Sequence, residues 1–267
     1  MLKYEIIDNR KEEWVVFIHG MGGSTKTWAK QIGAFSESYN LLLLDLPGHG
    51  LNADNVIYQV DPDKLHDGIK DTLDHLNISS AHFVGLSLGT LVIADFAICY
   101  PDYVETLILG GASLKLTGIY RSAVKIANRI KRIVPYKFLY KFFAWFMMPN
   151  KNHKKSRLIF LREVVKLKKE TMFAWIKYLQ ITLHPEHILT KLDLLGKRIL
   201  LISGDEDHCF IDGARALAKK IRNTELHIIE KCGHICSIEK WNAFNCVALE
   251  YLQKYKESKE SSARICI

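Results

Sequence analysis

The sequence predicts an α/β fold: a mostly parallel central sheet covered by helices on both faces, with an inserted helical module. Three observations carry that expectation. Short apolar runs rich in Leu, Ile and Val lack the alternation of a half-exposed strand and read as strands buried on both faces. Segments of helical period separate most of these runs, and alternating strand and helix builds a parallel sheet. One stretch, 112–197, breaks the alternation and differs in charge from everything around it.

The elements follow in chain order. "KYEIID" (3–8) reads as an antiparallel edge strand, and "WVVFIH" (14–19) as the first buried strand. A helical pattern over 26–38 leads to "LLLLDL" (41–46), and a second over 62–76 leads to "AHFVG" (81–85). The helix expected over 87–99 then leads to "ETLILGG" (105–111). After the interruption come "RILLIS" (198–203), a helix over 211–221, "ELHIIE" (225–230) and a helix over 238–255. Segment 112–197 holds amphipathic helical patterns punctuated by Pro135, Pro149 and Pro185, so it reads as several short helices inserted after about the sixth strand. The expected organisation is a core of 1–111 and 198–257, a helical cap of 112–197 and a flexible polar tail of 258–267.

Composition narrows the class. A chain of 267 residues that is 48% hydrophobic and 25% charged can bury a full core and shows no bias toward disorder. The charged start lacks the apolar centre of a signal peptide. The longest greasy stretch, 138–149, is too short to span a bilayer and contains Lys141. The cysteines at 99, 209, 232, 236, 246 and 266 form no disulfide framework, which fits a reducing, cytoplasmic location. Cys232 and Cys236 bracket His234, a spacing that is weak for zinc and reads more simply as packing around a loop. No cofactor or metal is expected.

In open parallel sheets, functional groups gather at the carboxyl ends of the strands. Those ends carry His19-Gly20-Met21-Gly22-Gly23, Asp45-Leu46-Pro47-Gly48-His49-Gly50, Gly85-Leu86-Ser87-Leu88-Gly89, Gly204-Asp205-Glu206-Asp207 and Cys232-Gly233-His234. Glycines two residues either side of Ser87 suggest a turn too tight for side chains, with the serine at its apex. Serine, acid and histidine then follow in the chain order of a nucleophile elbow and its partners. A serine hydroxyl becomes an effective nucleophile when an imidazole takes its proton, and the imidazole needs a carboxylate to fix its tautomer. His234 and an acid of the 204–207 loop fit those roles. His19 and His49 read as residues that hold their loops, and Asp45 as an anchor for the Pro-Gly turn.

On these residues the chain resembles the α/β-hydrolase superfamily, in the single-domain branch with a helical cap. "HGMGG", "DLPGHG", "GLSLG", "SGDED" and "CGH" stand in the places and order that family uses, over a resemblance running from Trp14 through Tyr251. The resemblance implies Ser87 as nucleophile, His234 as base and Asp207, rather than Asp205, as acid. It also implies an oxyanion hole formed by the backbone N–H groups of Met21 and Leu88. The leading expectation is a serine esterase cleaving a carboxylic ester, with a lipidic or carrier-bound acyl ester as one option, through an acyl-enzyme. The alternatives are a C–C bond hydrolase or elimination enzyme with the same triad, and a ligand-sensing homologue that is not an enzyme.

Charge adds a partner question. Between Lys115 and Lys169 sixteen Lys or Arg face the single acid Glu163, a surplus of +15 in a chain whose total is +8, so the remainder is net negative. Phe138, Phe142, Phe143, Trp145 and Phe146 lie inside this segment, beside Met147 and Met148. That pairing suits a small-molecule ester with an apolar acyl part, and an acidic carrier protein or an anionic membrane surface at the cap. The same pattern also reads as the cap's own core with a solvated face. No nucleic-acid recognition motif is present.

Overall fold

The computed structural model describes residues 1–112, 134–182 and 185–265, together with positions 114, 126 and 129. Seven strands form one sheet: β1 (Lys3–Ile7), β2 (Trp14–Ile18), β3 (Asn40–Asp45), β4 (Ala81–Leu86), β5 (Val104–Gly110), β6 (Arg198–Gly204) and β7 (Thr224–Ile229). Their order across the sheet is β1-β3-β2-β4-β5-β6-β7. β1 runs antiparallel to β3, with Lys3 opposite Asp45, and every other pairing is parallel.

The helices are α1 (Ile32–Ser36), α2 (Pro62–His75), α3 (Leu88–Cys99), α4 (Tyr136–Met147), α5 (Lys154–Val164), α6 (Lys169–Thr182), α7 (Pro185–Leu195), α8 (Ile211–Lys220), α9 (Cys236–Glu239) and α10 (Trp241–Ile265). The inserted helices α4–α7 follow β5, the fifth strand, one strand earlier than the sequence suggested. The expected helix over 26–38 is broken into a 3₁₀ turn at Thr25–Trp28 and the short α1. Tertiary contacts favour the break: Trp28 is wholly buried, and the Gln31 amide donates to Ser237 O and Asn245 Oδ1, both at 2.9 Å. α10 runs on to Ile265, well past the end expected at residue 255 and into the segment expected to be a loose tail.

The period of two along each strand explains how the sheet is covered. Val16, Ile18, Leu42 and Leu44 point to a core layer shared with α2, α3, α7 and α8. Val15, Phe17, Leu41 and Leu43 point the other way, to a layer built with α1, α4 and α10. A strand with apolar neighbours on both faces needs apolar residues at every position, hence the unbroken "LLLL" of β3. The edges differ. β7 alternates between exposed and more buried residues because one of its faces meets water, and β1, at the other edge, leaves Lys3, Glu5 and Ile6 exposed.

Phe17 anchors the second layer, its ring 4.9 Å from Trp28 and 5.2 Å from Phe35. Phe17→Ala should therefore cost about 3–5 kcal/mol in urea-induced unfolding. A loss below about 1 kcal/mol would mean that the layer closes over the gap and is not packed as described.

Candidate active site

The site begins where β4 meets α3. Ser87 has φ +51° and ψ −116°, a conformation sparsely populated for a residue with a side chain. Its surroundings leave no alternative. A Cβ on Gly85 would lie 2.7 Å from the Gly89 carbonyl, and one on Gly89 would lie 2.2 Å from the Ile18 carbonyl oxygen. The two glycines let the first turn of α3 cross β4 and press on β2. Ser87 N–H donates to Gly110 O at 2.9 Å, and the Ser87 carbonyl accepts from the Thr90 amide and hydroxyl at 2.9 and 2.6 Å. The hydroxyl is thus held at the apex of a turn that is fixed on both sides.

The partners arrive from the ends of β6 and β7. His234 Nε2 lies 2.8 Å from Ser87 Oγ, and His234 Nδ1 lies 2.9 Å from Asp207 Oδ2. With Nδ1–H donating to the carboxylate, Nε2 is left to accept the serine proton. Asp207 and His234 are buried, and Phe210 stacks on the imidazole at 4.7 Å. The structure therefore brings together Ser87, His234 and Asp207, three residues far apart in the chain. Asp205 goes elsewhere. It is exposed, and its carboxylate accepts the Cys232 N–H at 3.2 Å, bracing the histidine loop.

The loop that carries Met21 is fixed by its neighbours, and Leu88 opens α3 directly after Ser87. Gly23 N–H donates to Gly20 O at 3.0 Å, and Gly22 N–H donates to His49 Nε2 at 3.0 Å. His49 Nδ1 donates in turn to Pro47 O at 3.1 Å. Burial above all, with His19 nearby, pushes the His49 pKa down to about 3, so the ring is neutral and can serve as an acceptor. His19 is likewise buried and shifted down by desolvation; its Nδ1 donates to Gly20 O at 2.8 Å and its Nε2 accepts from Leu46 N–H at 3.1 Å. Asp45 accepts the amides of Thr25 and Leu51, both at 2.8 Å. These three residues are scaffolding for the loops, in line with their reading from sequence.

The cysteines around His234 behave as packing groups. Burial raises the Cys232 thiol and pushes Cys236 and Cys209 up to about 12, so none is a thiolate near neutral pH. Cys232 Sγ donates to Gly233 O and Cys236 Sγ to Ile202 O, each at 3.6 Å. Both His234 nitrogens are engaged in the triad. Among the described residues there is no His, Cys, Asp and Glu cluster suited to a metal.

The structure adds a set of residues the sequence did not single out. His153, at the start of α5 in the cap, is buried with Nε2 at 2.7 Å from Glu206 Oε2 and 3.8 Å from Glu239 Oε2. Asn152 Nδ2 donates to the same Glu206 oxygen at 2.7 Å and to Lys231 O at 3.2 Å. Glu206 precedes Asp207, and Glu239 accepts the N–H of Gly233, which precedes His234, at 2.7 Å. Glu206 N–H donates to Cys232 O at 2.9 Å. The cap thus clamps together the loops that carry the acid and the imidazole. A Cβ on Gly233 would lie 2.8 Å from the His153 ring, so that glycine makes room for the clamp. Glu206 could have been suspected from its place beside Asp207; nothing in the cap sequence points to His153. A separate cavity of about 200 Å³ lies between the Gly22–Lys26 loop and cap residues Glu163 and Lys166, but Ser87 does not line it.

Residues 15–245 match the model of the Alpha/beta hydrolase family, and the chain belongs to that family. It is 26% identical over 260 residues to the 2-hydroxy-6-oxononadienedioate/2-hydroxy-6-oxononatrienedioate hydrolase of Paraburkholderia phymatum, covering 90% of this chain and 87% of that one. It is 25% identical to the 2-hydroxy-6-oxo-6-phenylhexa-2,4-dienoate hydrolase of Comamonas testosteroni, covering 91% of this chain and 88% of the other. Among solved structures, a carboxylesterase structure from Nitrososphaera gargenis superimposes with a TM-score of 0.78 at 20% identity, covering 96% of this chain and 95% of that one. At that identity the last likeness concerns the fold alone. Among the described residues no helix is long and apolar enough to cross a membrane.

The sequence relatives correct the expectation of ester cleavage: they are hydrolases of C–C bonds in 2-hydroxy-6-oxo-dienoates, the chemistry named as an alternative. The reason for the misreading is physical. Both reactions begin with attack on a carbonyl carbon, so the strand-end motifs do not distinguish them.

The clamp generates a pH-dependent expectation. Hydrogen bonding from Asn152 first, with Asn150 and His153 adding to it against partial desolvation, holds the Glu206 carboxyl below its ordinary value of 4.5. A depressed carboxylate pKa contributes stability that is present above the unfolded value and lost as pH falls through the folded one. Asn152→Ala should lower the thermal midpoint at neutral pH, and the gap from the native protein should narrow once pH falls below the ordinary value of 4.5 and close below the depressed folded value. A gap unchanged at acid pH would show that Asn152 acts by packing and not through the Glu206 charge.

Proposed function

We propose that the chain hydrolyses a C–C bond beside a ketone in an anionic substrate of the 2-hydroxy-6-oxo-dienoate type. The observation that carries this reading is the hydrogen-bonded line from Ser87 Oγ through His234 to Asp207 (2.8 and 2.9 Å), in a chain whose sequence relatives cleave such compounds.

The chemistry follows from what each group can do. Ketonisation of the 2-hydroxydienoate moves its hydroxyl proton to carbon 5 and creates a 2-oxo group conjugated with the remaining double bond. Ser87 Oγ then attacks the carbon 6 ketone while His234 Nε2 takes the hydroxyl proton. Asp207 stabilises the imidazolium so formed, and the Met21 and Leu88 amides are assigned to the oxyanion. Collapse breaks the bond between carbons 5 and 6. The electron pair passes through the double bond into the 2-oxo group, which becomes the enol of a shortened dienoate as His234 returns a proton. Carbon 6 is left as an ester on Ser87. Water, deprotonated by His234, attacks that ester and releases a carboxylic acid and the free serine. One water is consumed, and no oxidant or reductant is needed.

A direct comparison tests the reading. A 2-hydroxy-6-oxo-dienoate should be cleaved with a kcat/KM at least about tenfold above that for p-nitrophenyl esters, followed by loss of the dienoate absorbance. In Ser87→Ala and in His234→Ala, kcat should fall by about a thousandfold or more. Preference for the ester would overturn the C–C assignment, and full activity in either variant would overturn the assigned roles.

A further inference from the structure

α4 presents an unusual face to solvent. Of its described side chains, those classed as exposed are Lys137, Phe138, Lys141, Phe142 and Trp145. The three aromatics are 65%, 64% and 55% exposed, where a surface helix normally turns charge and amide groups outward. The opposite face is already satisfied: Ala144, Met147 and the half-buried Phe143 and Phe146 pack into the core layer beneath, and Tyr140 is buried against Phe160. The outer row is therefore not the cap's core.

We propose that α4 docks on an anionic membrane surface, laying Phe138, Phe142 and Trp145 into the headgroup–acyl boundary while Lys137 and Lys141 meet lipid phosphates. Helical spacing places the aromatics in one row with the lysines beside them, the arrangement of an interfacial helix. The stems of such lysines lie along apolar surface while the ammonium groups stay at the headgroups. Trp145 is held in place for this by the Arg157 guanidinium, 3.6 Å from its ring centre, which is itself fixed by donation to the Met148 carbonyl. Charge points to an anionic surface: α4 contains no acid, and the following loop and α5 add the exposed Lys151, Lys154 and Lys155. Leu158, exposed on α5, extends the apolar area.

The same face argues against other occupants. Protein interfaces carry a hydrogen-bonding rim, and the described exposed side chains of α4 include no carboxylate, amide or hydroxyl. A second copy of the chain, paired about a two-fold axis, would set its lysines against those of the first. α4 also lies close to the chemistry, since the Phe146 ring meets His208, next to Asp207, at 5.6 Å. The inference does not depend on the reaction assigned above.

Co-sedimentation of the full chain with vesicles tests it. The protein should pellet with an equimolar mixture of phosphatidylglycerol and phosphatidylcholine and stay in solution with phosphatidylcholine alone. Phe138→Ser combined with Phe142→Ser should lower the partition at least tenfold, and Lys137→Gln with Lys141→Gln by about thirtyfold at low salt. Both double variants should keep the native thermal midpoint and the native turnover of a water-soluble substrate, which separates loss of docking from loss of the site. The proposal is overturned if the native chain ignores anionic vesicles, or if the Phe138/Phe142 variant binds them as well as native. It is also overturned if those substitutions instead abolish a dimer in sedimentation velocity or binding to an acidic acyl-carrier protein, which would make the face a protein interface.

Discussion

The close crossing of β4 and α3 is the constraint on which the site depends. Two glycines allow it, and the residue between them is forced to a positive φ that lifts its side chain out of the turn. Strain of this kind costs on the order of 1–3 kcal/mol and persists only where the surroundings hold it. Here they are the hydrogen bonds at Gly110 and Thr90 and the packing of Gly89 on β2. With the hydroxyl presented in this way, the parallel sheet does the rest, because it delivers the loops after β6 and β7 to the same edge.

A division of labour among the polar groups follows from burial. His19 and His49 lie in the interior where a charged imidazole would be costly, and each uses a neutral ring to fix a backbone amide. His234, by contrast, holds its Nδ1 against the Asp207 carboxylate at 2.9 Å. The loops near Met21 are thus held by neutral histidines, while the imidazole beside Ser87 is provided with a counter-charge. Above them the His153–Glu206–Glu239 clamp ties the cap to the two loops whose relative position decides whether the imidazole lines up.

Much of this was legible in the chain. The buried strands were visible because apolar neighbours on both faces demand unbroken apolar runs, and Ser87, His234 and an acid of the 204–207 loop because strand ends gather at one edge, while the choice of Asp207 over Asp205 came from the resemblance to α/β-hydrolases. What was hidden has physical causes. The break after Trp28 depends on Gln31 reaching Ser237 and Asn245, contacts between residues distant in sequence. The clamp depends on a cap histidine meeting two glutamates from elsewhere in the chain, and no local pattern announces it. Ester cleavage was expected first, where the relatives point to C–C hydrolysis, because the attacking groups are common to both reactions. The aromatic-basic segment could be read as core or as contact surface; among the described residues of α4, Ala144 and Met147 are buried while Phe138, Phe142 and Trp145 are exposed.

The central claim is that Ser87 is made nucleophilic by His234 within a preformed line of hydrogen bonds. Reaction with a fluorophosphonate, followed by mass spectrometry of the labelled peptide, reports on it without reference to any substrate. The account predicts a single adduct on Ser87 that forms at least about a hundredfold more slowly in the His234→Ala protein. A folded protein that takes up no label, or one that labels as fast without the imidazole, would contradict it.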